Sequence, residues 1–381
     1  MALTLGVLGR SRKPHEHRLP LHPRQLDRIA PELRGDMTFE AGYGERFGVG
    51  DGALATAGFG VARREEVIAG ADVVVLPKPL EADLEQLRAR QVLWGWPHCV
   101  QDPGLTQVAI DRRLTLVAWE AMNHWSDDGH FELHVFHQNN ELAGFCSVGH
   151  ALQLAGRTGH YGRALRAAVI SFGATGRGAV RALGAAGVQD VTVLTQRDVA
   201  AVAAPFTSMR LVSFERDETD PAQARTVTRD GASRPLIEEL AEHDIIVNCV
   251  LQDPEEPLTL ATTDDLERLA PGTIVVDVSI DPGMGFGWAR ATSFAVPMIT
   301  VGDRVHYYAV DHSPSLLWDS ASWVIGEALL GHLETVAGGP ESWEADPTIH
   351  RAIEIEDGVV RNPRILSFQN REAAFPHARR G

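Results

Sequence analysis

The chain has 381 residues, 44% hydrophobic and 23% charged, a balance that excludes disorder as the main state and predicts two domains. Its net charge of −16 excludes nucleic acid as the main partner, because phosphate binding needs a basic face. No apolar run reaches the ~18–20 residues that cross a bilayer. Cys99, Cys146 and Cys249 stand far apart, and the histidines form no spaced metal pattern. A reduced, cytoplasmic protein with no membrane partner, signal peptide, disulfide or metal is therefore expected.

In chain order, apolar β-rich runs at 3–8, 72–76, 92–96, 114–119, 167–172, 190–194, 244–250 and 273–278 predict strands. Several are continuously apolar, the mark of strands covered on both faces. Helical patterns at 23–33, 84–90, 104–113 and 179–186 fall between them. The alternation predicts an α/β protein made of two doubly wound, Rossmann-like domains with a cleft between them. The apolar segment 140–156 reads as a helix joining the two, and the run 316–336, ahead of Gly338-Gly339-Pro340, as a long amphipathic second connection. The expected division is a discontinuous substrate domain, 1–139 plus 303–381, around a dinucleotide-binding domain, 140–302. The polar stretch 215–233 reads as an exposed loop, and residues after Phe375 as a frayed tail.

The most specific local signal is the strand–turn–helix pattern over 167–187, where an apolar strand runs into Gly173, Gly176 and Gly178 and then a small-residue helix. In a dinucleotide fold the first glycine makes the tight turn, the last lets helix and strand pack, and the helix N-terminus holds the pyrophosphate. Thr175 stands where the middle glycine is usual, with Gly176 beside it. The expected cofactor contacts are Gly173, Ala174, Thr175, Gly176, Arg177, Gly178, Thr195, Arg197, Asn248 and Val250. The second strand ends in Thr195-Gln196-Arg197, with no acidic residue to receive ribose hydroxyls. A cation in that zone suits a 2′-phosphate, so NADP is favoured over NAD.

Three polar residues follow strands of the first domain: Arg18 in HRLPL, Lys78 in LPKPL and His98 in GWPH. Carboxyl ends of strands line the ligand crevice in open α/β sheets. Arginine offers a planar fork for a carboxylate, lysine can donate to a carbonyl oxygen, and histidine can move a proton near neutrality. Each also has a plain alternative: a surface ion pair for Arg18, a solvated lysine, a structural histidine.

The order of HRLPL, EAGYGERFGV (40–49), LPKPL, GWPH, NELAG (140–144), the glycine turn, HDIIVNCV (243–250), VVDVSIDPGMG (275–285) and YYAVDHSPSLL (307–317) resembles the family of alanine dehydrogenase, N(5)-(carboxyethyl)ornithine synthase and lysine-forming saccharopine dehydrogenase. GWPH and HSPSLL look most like the carboxyethylornithine synthase branch. The resemblance implies that Arg18 and Lys78 hold a 2-oxo acid, that His98 is the acid/base, and that Asp281 sits beside nicotinamide and substrate. It also suggests Glu120 as a supporting carboxylate for Lys78 or His98. Asp277 can be read as no more than a strand end. Asp311, His312 and Ser313 either reach the nicotinamide or amine or cap the following helix.

These readings predict an NADP-linked oxidoreductase on the CH–NH bond, condensing an amino acid amine with a 2-oxo acid such as pyruvate, in a homo-oligomer. The alternatives are NAD-dependent reductive amination with ammonia and a non-catalytic NADP-binding regulator.

Overall fold

The computed structural model describes residues 2–196, 209–220, 222–228, 231–252, 256–280 and 284–380. Two site expectations, Arg197 and Asp281, lie outside the described residues. The chain forms two compact units, Met1–His137 with Leu317–Gly381, and Gln138–Leu316.

The first unit is built on an eight-stranded sheet. Its parallel part comprises β1 (Leu5–Val7), β2 (Met37–Glu40), β3 (Gly60–Ala62), β4 (Val73–Leu76), β5 (Val92–Gly95) and β6 (Thr115–Ala118). Side by side they run β3-β2-β1-β4-β5-β6, a doubly wound order. The C-terminal strand Ile353–Glu356 adds antiparallel to β6, and Val359–Val360 pairs beyond it. Every residue of β4, β5 and β6 is buried, which is why their sequences read as unbroken apolar runs.

The second unit carries a nine-stranded sheet. Its core is β7 (Arg166–Ile170), β8 (Asp190–Thr195), β9 (Met209–Arg216), β10 (Ile245–Asn248), β11 (Ile274–Asp277) and β12 (Val305–Tyr308). The parallel order β9-β8-β7-β10-β11-β12 is that of a dinucleotide-binding fold, with the strand order reversing beside β7.

Helix α1 (His137–Leu154) is the expected joining helix. It packs on α2 (Ala174–Ala185) through two glycines. A Cβ on Gly144 would collide with the carbonyl oxygen of Thr175, and one on Gly178 with that of Glu141.

Several expectations need correction. The return to the first unit falls at 316–317 and not at 303, because β12 pairs with β11 and Met298–Val301 pairs with β12. The stretch 215–233 is not simply a loop. Ala224–Val227 pairs antiparallel with β9 and Ser233–Pro235 antiparallel with Ala224–Val227, which extends the second sheet and buries Ala224 and Thr226, while Arg225 pairs with Asp217. The helix expected at 84–90 is instead Glu81–Leu84, capped by the Asp83 carboxylate on the Leu80 amide. The run 316–336 breaks into α3 (Trp318–Leu330) and a separate helix, Leu333–Gly338. The tail after Phe375 is folded: His377 is buried and accepts from the Val360 amide, while its carbonyl holds Arg371.

Candidate active site

Four strand ends of the first unit carry the candidate substrate residues. Arg18 lies in the loop after β1, Lys78 two residues past β4, His98 three past β5 and Glu120 two past β6. Those strands are neighbours in the order β1-β4-β5-β6, about 4.8 Å apart. Strand order thus brings together residues that the chain spaces widely.

Arg18 is buried, and its guanidinium lies 5.0 Å over the Trp96 ring. Its Nε and Nη2 donate to the two carboxylate oxygens of Glu16 at 2.8 and 2.6 Å. The fork expected to meet a substrate carboxylate is therefore oriented by one from its own chain. Beneath it, Trp96 and Trp94 pack edge-on against Trp119, which stacks on Phe136. The tryptophans at 94, 96 and 119 are thus core.

Lys78 is half-buried, and its carbonyl accepts from Ser11 Oγ. His98 adopts φ +48°, a left-handed conformation that costs a residue with a Cβ roughly 1 kcal/mol or more and tends to mark functional sites. Its amide donates to Glu120 Oε1 at 2.5 Å, and its Nδ1 lies 3.7 Å from the same oxygen. Burial raises the Glu120 carboxyl, and the charge of Glu354 raises it further; Lys78 and the His98 amide oppose the shift. Glu120 therefore supports His98 by direct contact and Lys78 through charge.

In the second unit, β7 ends at Ile170, Ser171 turns the chain with φ +75°, and Gly173 opens α2 with no side-chain cap. An uncapped helix N-terminus at the carboxyl end of the first dinucleotide-fold strand suits a pyrophosphate. Ala174, Thr175, Gly176, Arg177 and Gly178 form its first turns, and Arg177 is held 4.8 Å over the Phe172 ring. Thr195 ends β8 and is buried.

Asn248 and Val250 are committed to a buried network. Asn248 Nδ2 donates to Asp277 Oδ1 at 3.0 Å, and the Val250 amide donates to Asn248 Oδ1 at 3.1 Å. Tyr307 donates its hydroxyl to Asp277 Oδ2 at 2.8 Å, and the Ile280 amide donates to Oδ1 at 3.1 Å. Asp277 thus does more than end its strand: it ties β10, β11 and β12 together just before the segment carrying Asp281. Burial raises the Asp277 carboxyl, so each donor matters. Tyr307→Phe should lower the stability of this unit by about 1–3 kcal/mol, measured by urea unfolding; an unchanged midpoint would mean that the hydroxyl is dispensable.

His312 Nδ1 lies 2.7 Å from Asp311 Oδ1, and Ser313 Oγ bridges Ser147 Oγ and the Ala143 carbonyl. These residues precede α3 and fasten α1. Among the described residues no His, Cys, Asp or Glu cluster could hold a metal ion, and no helix is long and apolar enough to cross a membrane. All three cysteines are buried, and none is in a disulfide. Sequence reasoning missed Glu16, Tyr307 and Glu354. The last had no clean signal, because alternation in Ile353-Glu354-Ile355-Glu356 puts both glutamates on one face, whereas only Glu354 is buried and the pairing with β6 shifts register between Ile353 and Ile355.

Two doubly wound units, one with an uncapped glycine turn and one with lysine, histidine and carboxylate on adjacent strand ends, define a nicotinamide-dependent, alanine dehydrogenase-like oxidoreductase. Residues 7–143 match the alanine dehydrogenase/PNT N-terminal domain and residues 163–363 the alanine dehydrogenase/PNT C-terminal domain. The chain belongs to the alanine dehydrogenase/PNT family. It is similar to the alanine dehydrogenase of Halomonas elongata, 28% identical over 91% of this chain and 92% of that protein. It is also similar to the N(5)-(carboxyethyl)ornithine synthase of Clostridium botulinum, 24% identical over 84% of this chain and 90% of that one. A solved L-alanine dehydrogenase has the same fold, with a TM-score of 0.74 at 19% identity over 96% of this chain and 99% of that one.

Proposed function

We propose that the protein joins the amine of an amino acid to a small 2-oxo acid such as pyruvate and reduces the product with NADPH. The observation that carries this reading is the placement of Arg18, Lys78, His98 and Glu120 on adjacent strand ends of one sheet. A carboxylate clamp, a carbonyl donor and a proton carrier are what imine formation from a 2-oxo acid requires.

In this reading the Lys78 ammonium donates to the carbonyl oxygen while Arg18 holds the carboxylate. The neutral amine bonds to the carbonyl carbon, and His98 takes the proton released from nitrogen. His98 passes that proton to the carbonyl oxygen, making it a hydroxyl, then takes the second nitrogen proton and gives it to the hydroxyl, which leaves as water with the imine formed. Glu120, 3.7 Å from Nδ1, favours the protonated ring during the transfer. When bound, the nicotinamide cofactor would supply the hydride to the imine carbon, and a proton from solvent on the nitrogen completes the secondary amine. The turn from Gly173 to Gly178 and Thr195 would hold the dinucleotide. Arg197 would meet the 2′-phosphate, since Thr195 and Gln196 stand where an NAD site has its acid. Asp281 would stand beside the nicotinamide.

The 28% identity to an alanine dehydrogenase favours a second reading, reductive amination of the oxo acid by ammonia. Absorbance assays with NADPH or NADH, pyruvate or 2-oxoglutarate, and ammonia or amino acids separate the two. The expected result is NADPH oxidation that needs an amino acid and yields a secondary amine by mass. A rate with ammonia and NADH alone would replace this reading with the second.

A further inference from the structure

The C-terminal segment does more than extend the first sheet. Strand Ile353–Glu356 pairs with β6, with Ile353 opposite Val117 and the Ala118 amide donating to the Ala352 carbonyl. This register sets Glu354 beside the end of β6, from which Glu120 follows. Glu354 is 5% exposed; its Oε1 accepts from Asn362 Nδ2 at 2.9 Å. Its Oε2 is buried without a hydrogen-bond partner, and so is Glu120 Oε2. The same segment grips the loop that carries His98: Gln369 Nε2 donates to the Cys99 carbonyl at 2.5 Å. Burial raises the Cys99 thiol most, and the charges of Glu354 and then Glu120 raise it further.

Two carboxyl groups that each leave a buried oxygen unpartnered cannot both carry full charge cheaply. Glu120 also faces Lys78, His98 and, at its carbonyl, His134 Nε2. Glu354 faces Asn362, Cys99 and Glu120, and its carbonyl accepts from the Arg361 and Asn362 amides.

We propose that Glu354 and Glu120 hold one proton between them behind His98, making Glu354 a positioning residue that sets how much negative charge His98 sees. Such a pair titrates as a unit. Glu354→Gln removes the competing carboxyl, so Glu120 stays ionised and holds a proton on His98 more firmly. Glu120→Gln removes the facing charge altogether. The two substitutions therefore push His98 in opposite directions, which a merely structural role would not do.

The inference rests on the reading of His98 as the acid/base, so the test uses one readout that needs no turnover. Infrared difference spectra at neutral pH should show a protonated carboxylic C=O band that both Glu354→Gln and Glu120→Gln remove. In amino acid oxidation, the rising limb of kcat/KM against pH should move alkaline in Glu354→Gln and acid in Glu120→Gln, each by about one pH unit. A band that survives both substitutions, or limbs that move the same way, would overturn the proposal. A wild type without turnover would sink the role given to His98, while the band would still decide the shared proton.

Discussion

Lys78→Met should lower kcat/KM by about three orders of magnitude with the thermal unfolding midpoint almost unchanged. The side chain is half-buried beyond the end of β4, so methionine keeps its aliphatic length and removes only the ammonium. Its charge counts twice: it would donate to the carbonyl oxygen, and it opposes the upward shift of the Glu120 carboxyl. The loss should appear mainly in kcat, because the donor's hydrogen bond strengthens as negative charge grows on oxygen. His98→Asn should cost a comparable factor, and the double variant little more than either alone, since both act on one proton-transfer sequence. The composition supplies an independent check. The chain has two lysines, Lys13 and Lys78, so amine-directed labelling read by mass reports on Lys78 with a single lysine for comparison. Protection of Lys78 by a 2-oxo acid, with Lys13 unprotected, is the expected pattern. Full activity in Lys78→Met would end the role assigned to it.

Much of this architecture was legible because parallel strands covered on both faces announce themselves as apolar runs. All eight such runs became strands of the two sheets. Some of the strands that escaped reading are interior and mostly buried, Met37–Glu40 and Val305–Tyr308, while others are edge or half-exposed. Gly60–Ala62 is only partly buried, and Met209–Arg216 is mostly exposed or intermediate with a single buried residue, Phe214. Such strands mix polar and apolar residues, and their pairing is decided by neighbours distant in sequence. The single long helix read at 316–336 failed for a related reason: its apolar spacing continues across Gly331 and His332, where the chain turns. In the candidate site, residues just past strand ends could be named from the sequence as candidates. Partners that come from elsewhere could not. Glu354 reaches the β6 end only through an antiparallel pairing with residues more than two hundred positions away. Tyr307 meets Asp277 across two adjacent strands. Glu16 shows a third limit: it stands two residues from Arg18, but a bidentate pair is a matter of side-chain direction.

Gly178→Ala should destabilise the second unit far more than its size suggests. The added methyl would lie within the van der Waals radius of the Glu141 carbonyl oxygen. That atom is backbone of α1 and cannot rotate away, so α1 and α2 must separate. Gly144 makes the reciprocal approach to the Thr175 carbonyl, so the two helices touch at two backbone points and separation disturbs both. Overpacking of this kind costs about 1–3 kcal/mol, equivalent to a fall of about 2–12 °C in the midpoint of a unit this size. The consequence for binding follows from which end of α2 moves. Thr175 lies in its first turn, so a shift there displaces the N-terminal amides proposed to hold the pyrophosphate. NADPH affinity, followed by fluorescence titration, should fall about tenfold or more. Gly184→Ala on the same helix is the control. Nothing lies within 4 Å of a Cβ built there, and alanine is the better helix former, so that variant should be neutral or more stable by about 0.5–1 kcal/mol. Equal midpoints and equal NADPH affinities in the two variants would show that the close approach of α1 and α2 does not set the geometry of the turn.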